Sequence, residues 1–170
     1  LKIHMDGARV MNAVVQSGIP LSRRAQDVDS LSFCFSKGLG APVGSVLCGS
    51  AEDMKRGRRI RKMMGGGMRQ SGMLAAAAIH ALEHHVERLA EDHGRTKRLA
   101  TAISEMGFTI IPPQTNILYI NVPDSAKCVS TLNEAGVRCL SVNPTRIRMV
   151  IHLNVNDAGI EHAIKAFRLV

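Results

Sequence analysis

The chain has 170 residues, a mass of 18.4 kDa, 45% hydrophobic residues and 21% charged ones. That apolar share fills a core and excludes a disordered chain, and no run is long enough for a membrane-spanning helix. The 22 Lys+Arg against 14 Asp+Glu leave a net +8, which permits phosphate-bearing partners without selecting one. With 3% aromatics and no Trp, the chain lacks the stacking surface of a single-strand nucleic-acid binder. Neither a nucleic acid nor a membrane is expected as a partner.

In chain order, residues 2–5 read as a short apolar strand ending at Asp6, and residues 8–15 as a helix stopped by Gly18 and Pro20. Residues 29–35 read as a strand, 36–40 as a tight turn and 43–48 as the return strand. A helix over 52–64 is broken by Gly65, Gly66 and Gly67. From Ser71 the spacing of Leu74, Ala78, Leu82, Val86 and Leu89 predicts a long helix with one apolar face. Leu99, Ile103 and Met106 continue that face, Gly94 is the expected point of a kink, and Gly107 the C-cap. Strands follow at 108–111 and 116–122, then a helix capped by Ser125. Strands at 137–142 and 147–153 precede a last helix opened by Asn156 or Asp157.

The second half reads ββαββα, a small α+β unit, while the first alternates strands and helices in the α/β manner. The expected division is 1–70, a connecting helix region over 71–106, and a small C-terminal domain over 107–170. Three strands are few for a doubly wound sheet, and the chain opens without Met, so further sequence upstream is expected. Cys34, Cys48, Cys128 and Cys139 form no CxxC pair and are expected to be reduced. No secretory signal layout is visible, and no metal-ligand set is read.

Three stretches bear chemistry. In His4-Met5-Asp6-Gly7-Ala8-Arg9, an Asp at the carboxyl end of a strand faces the crevice where open α/β sheets bind ligands, or else caps the next helix. In Ser36-Lys37-Gly38-Leu39-Gly40, a Lys after an apolar strand is either a surface turn residue or an amine for covalent chemistry. The run from Lys55 to Lys62 has six basic residues in eight. It leads to the triglycine and Arg69, a pattern that suits an anion nest or a solvated helix face followed by a loop. Asp, Lys and an anion site in this order are the parts of a pyridoxal phosphate (PLP) site.

The same residues resemble one family. The His4–Arg9 stretch, Asn12-Ala13, residues 36–45, Arg61-Lys62 and residues 65–70 are similar to the low-specificity L-threonine aldolases. Thr115-Asn116 and residues 148–153 extend the likeness. The resemblance implies the fold type I architecture of PLP enzymes, here the end of the PLP-binding large domain followed by the small domain. It implies Lys37 as the Schiff-base lysine, Asp6 as the carboxylate at the pyridine nitrogen, and Arg9 near the phenolic oxygen. Arg148 matches the arginine that grips the substrate carboxylate, with Arg146 as a helper, and Ser36 is a candidate phosphate contact. Lys62 and Arg69 match basic residues that reach a neighbouring subunit's site.

The implied reaction is retro-aldol cleavage of L-threonine or L-allo-threonine to glycine and acetaldehyde. A cytoplasmic homodimer or homotetramer is implied with it. The phosphate-binding glycine loop and the functional histidines of the family find no match here. His84 and His85 are read as lying on a polar helix face and His152 as a structural residue of its strand, and none of these, nor His4 or His93, substitutes for the family's histidines. The competing readings are another fold type I PLP lyase or aminotransferase, or an inactive fragment that only binds partners.

Overall fold

The computed structural model describes all residues from Leu1 to Val170. They form two compact units, Leu1–Arg88 and Leu89–Val170.

The first unit holds a three-stranded sheet, β1 (His4–Asp6), β2 (Ser30–Cys34) and β3 (Ser45–Gly49), in that spatial order. β1 runs parallel to β2 and β3 antiparallel to it. Side chains alternate along β2. Leu31 and Phe33 are buried with Val10 in a small core, and Ser30, Ser32 and Cys34 take the other face. Val10 belongs to α1 (Val10–Ser17), which closes on Gly18 at φ 70°, the left-handed conformation that glycine adopts without a Cβ clash. A short helix, α2 (Leu21–Ala25), follows Pro20. Its five residues are too few to show a periodic apolar face, so no sequence pattern announces it.

α3 (Ala51–Met63) begins at Ser50, whose hydroxyl accepts from the Asp53 amide at 3.1 Å. Glu52 and Asp53 in its first turn and Arg61 and Lys62 in its last suit the helix dipole. The long helix expected over 71–106 is two helices, α4 (Gly72–His84) and α5 (Leu89–Glu105). The break falls at residues 85–88, while Gly94, the expected kink, lies inside α5. No Gly or Pro marks residues 85–88, and Val86 and Leu89 stay in step with Leu82. The apolar period therefore runs on through a stop that it does not encode.

The second unit is built on a four-stranded antiparallel sheet: β4 (Ile110–Ile111), β5 (Ile117–Asn121), β6 (Leu140–Asn143) and β7 (Arg146–Val150), ordered β4-β5-β7-β6. With α6 (Ser125–Glu134) and α7 (Asp157–Ala166) it keeps the ββαββα order. Leu118 and Ile120 of β5 and Ile147 and Met149 of β7 enter one core with Leu99, Ile103, Leu132, Ile160 and Phe167. Each fully buried aliphatic or Phe side chain there contributes about 1.5–3 kcal/mol. Tyr119, Arg146 and Arg148 alternate onto the opposite face. The cap of α6 is Asp124 rather than Ser125: its Oδ1 accepts from the Lys127 amide at 3.0 Å, while the Ser125 hydroxyl lies 2.8 Å from that of Ser141. Asn156 opens α7, accepting from the Gly159 amide at 2.9 Å.

Candidate active site

Asp6 and Lys37 stand at the same end of the first sheet. The parallel register pairs His4 with Ser30 and Asp6 with Ser32, so the carboxyl ends of β1 and β2 open on one side, where α/β sheets bind ligands. Asp6 is exposed, and its Oδ1 accepts from the Ala8 amide at 3.1 Å. It does not cap α1, whose N-cap is Arg9 and which has no side-chain cap. Gly7 ties the two strands together. Its amide donates to the Ser32 carbonyl at 2.7 Å, and a Cβ on Gly7 would meet that same oxygen at 2.8 Å. Arg9 is half-buried and lines a small crevice with Cys34, Gly38 and Leu39.

Lys37 rides on a turn braced at its base. The Phe35 amide donates to the Gly44 carbonyl at 2.9 Å, and the Ala41 amide to the Phe35 carbonyl at 3.0 Å. Inside it, the Gly40 amide donates to the Lys37 carbonyl at 2.9 Å, and Gly40 has φ 73°. Ser36 and Lys37 are exposed, whereas Gly38 and Leu39 are buried. The imidazole of His85 reaches this turn, with Nδ1 2.6 Å from the Leu39 carbonyl oxygen. His85 is thus half-buried against the lysine turn, not solvated on a polar helix face as its sequence position suggests. Forty-six residues separate the two, so no local pattern could have revealed the contact.

Lys62 and Arg69 stand apart, at the end of α3 and in the segment after it, both exposed. The triglycine between them does not form the anticipated anion nest. The Gly65 amide donates to the Lys62 carbonyl at 3.2 Å and the Gly66 amide to the Arg61 carbonyl at 2.8 Å. With Gly65 at φ 80°, these bonds close the helix as a Schellman motif and spend the amides a nest would need. Gly67 leaves room for Lys62 to fold back, since a Cβ there would lie 2.7 Å from Lys62 Cδ.

In the second unit, Arg146 and Arg148 project from one face of β7. Arg146 Nε donates to Asn121 Oδ1 at 2.8 Å. Arg148 lies between Tyr119 and Leu140 in the sheet register, and its Nε is buried without a hydrogen-bond partner. A guanidinium so placed suits a carboxylate, which accepts two parallel hydrogen bonds. Asn116 is a structural pin: Nδ2 donates to the Ile151 carbonyl at 2.8 Å, and the Ile151 amide returns to the Asn116 carbonyl at 2.9 Å.

The first unit thus offers an amine, a carboxylate and a guanidinium around one sheet end. That set fits a planar cofactor with an aldehyde and a basic ring nitrogen. The family model for beta-eliminating lyases matches residues 1–125. The chain belongs to the beta-eliminating lyase family.

Among curated proteins, this family member is 39% identical over 178 residues to the probable low-specificity L-threonine aldolase 2 of Arabidopsis thaliana, covering 100% of this chain and 50% of that protein. It is 44% identical over 157 residues to the low specificity L-threonine aldolase of Escherichia coli K12, covering 92% of this chain and 47% of that protein. Among solved structures, a Leishmania major threonine aldolase matches with a TM-score of 0.83 at 17% identity, over 99% of this chain and 51% of that one. A putative L-allo-threonine aldolase from Listeria monocytogenes matches with a TM-score of 0.79 at 18% identity, over 98% and 51%. The fold is that of the fold type I PLP enzymes. The chain spans about half the length of the curated relatives it matches.

Proposed function

We propose that this chain supplies the lysine-bearing part of a PLP-dependent lyase that cleaves L-threonine or L-allo-threonine to glycine and acetaldehyde. The observation that carries the reading is the shared sheet end: Asp6 closes β1, and Lys37 follows the parallel strand β2. Bound there, PLP supplies an aldehyde for the lysine and a ring that accepts the electrons of a breaking Cα–Cβ bond. Asp6 holds a proton on the ring nitrogen, which keeps the ring electron-poor. Lys37 would hold the cofactor through its amine at the aldehyde carbon. Arg9 would serve the phenolic oxygen, and Ser36 would contribute a hydroxyl to the phosphate. Arg148, with Arg146 as a helper, holds the substrate carboxylate and so orients the bond to be cleaved. Lys62 and Arg69 serve a neighbouring subunit in a homodimer or homotetramer, and the enzyme works in the cytoplasm.

The test is to add PLP, reduce with borohydride and map the peptides. The expected result is a phosphopyridoxyl adduct on Lys37 that Lys37→Ala abolishes; an adduct that persists in the variant overturns the lysine assignment. The family description and a match to a putative aminotransferase favour a second reading, a different PLP reaction at the same site. Product analysis with threonine separates the two: glycine with acetaldehyde supports the aldolase, whereas 2-oxobutanoate with ammonia supports β-elimination.

A further inference from the structure

We infer that His85 is a positioning residue for Lys37: its imidazole, mounted at the end of α4, holds the Leu39 carbonyl and so fixes the turn that presents the amine. The inference rests on the proposed function only for what Lys37 does; the contact itself stands on geometry. A carbonyl oxygen can only accept, so the close Nδ1···O distance of 2.6 Å assigns the proton to Nδ1. Leu39 is 3% exposed, and a hydrogen bond shielded from water is stronger than an open one.

The mount is firm. The His85 amide donates to the Ala81 carbonyl at 3.0 Å, and Ala81 is wholly buried. The His80 ring meets His85 edge-on, at 5.2 Å between centroids and 87° between planes, which limits rotation of the imidazole. Backbone bonds already fix the base of the turn through Phe35 and Ala41. His85 adds a hold near its tip, two residues beyond the lysine. A catalytic amine misplaced by about an ångström loses much of its rate, so a clamp on this turn acts on the turnover step more than on substrate affinity.

The test compares His85→Leu, which removes the donor, with His85→Asn, whose side-chain amide places a donor close to the position of Nδ1. His84→Leu, at an exposed neighbour, is the control. Amide exchange of Gly40 and Ala41, followed with and without added PLP, is expected to quicken about fivefold in His85→Leu. Exchange should return to near the parent rate in His85→Asn and stay unchanged in His84→Leu. In parallel, kcat for threonine is expected to fall about fivefold in His85→Leu with KM held, and to recover in His85→Asn. Parent-like exchange in His85→Leu overturns the inference. So does a folded His85→Asn protein that behaves like His85→Leu, because the effect would then be packing rather than the donor. If the parent protein forms no adduct with PLP, the proposed function fails instead, and the exchange comparison still decides the role of His85.

Discussion

The two units divide labour unequally. The second packs one continuous core, in which Leu118, Ile120, Ile147, Leu132 and Ile103 are all wholly buried. The first buries only Val10, Leu31 and Phe33 in its sheet core and leaves Leu47, Ile60, Met63, Met64, Met68, Met73 and Ile79 exposed. Yet the first carries the amine and the carboxylate. Packing strength and chemical payload are thus separated along the chain. The second unit specifies itself through apolar burial, and the first is held locally by turns, caps and the strand-end contacts around Gly7 and Lys37. A substitution should therefore act through stability in one unit and through placement of groups in the other.

The sharpest way to break this contrast is Phe167→Ala. Phe167 is 1% exposed and meets Phe108 edge-on at 5.7 Å, so its truncation is expected to cost about 3–5 kcal/mol in denaturant unfolding. Leu47→Ser, on the exposed face of the first sheet, should stay within about 0.5 kcal/mol, and equal losses would dissolve the distinction. Arg148→Ala tests whether the second unit contributes chemistry as well as stability. If Arg148 grips the substrate carboxylate as proposed, its loss should raise KM for threonine about ten- to a hundredfold with less change in kcat. Unchanged saturation would remove Arg148 from the site.

A smaller effect separates the units by pH. Burial holds the His93 imidazole below its ordinary value of 6.5, against the pull of nearby Asp92 and with a further lowering from Lys97. The unfolded chain takes up that proton as pH falls below 6.5, while the folded unit resists it. Stability from this group is therefore full above 6.5 and declines as pH drops toward the folded value. Urea midpoints on either side of 6.5 should show the decline, and His93→Gln should flatten it. The gentlest probe is a thiol reagent. Burial, with Cys128 adding to it, pushes the Cys139 thiol up to about 11, and Cys128 is itself buried. Exposed Cys48 should label first and these two last. Early labelling of Cys139 would mean that the second unit opens more readily than its core implies.

Much of this was legible in the sequence because it is locally encoded. Gly18 and Gly107 stop helices through their left-handed backbone, and the alternation of Leu31 and Phe33 with Ser30 and Ser32 writes a half-covered strand. The site stretches around Asp6 and Lys37 stood out because a charged residue just past an apolar strand is placed by that strand. What escaped lies across sequence distance or in competition between neighbours. Asp124 takes the cap that Ser125 could have taken, and Ser125 turns to Ser141 instead. The triglycine has the composition of an anion nest, but its amides close a helix. The break after α4 has no breaker residue, and the same stretch carries His85 to the lysine turn.

Gly7 has a consequence for engineering. One carbonyl, that of Ser32, both accepts the Gly7 amide and bars any side chain at that position. The spacing between the carboxylate's strand and the amine's strand is therefore a backbone dimension, like the gauge of a railway, and no side chain needs to maintain it. Residues around the crevice can be randomised without moving the two rails, provided position 7 stays glycine.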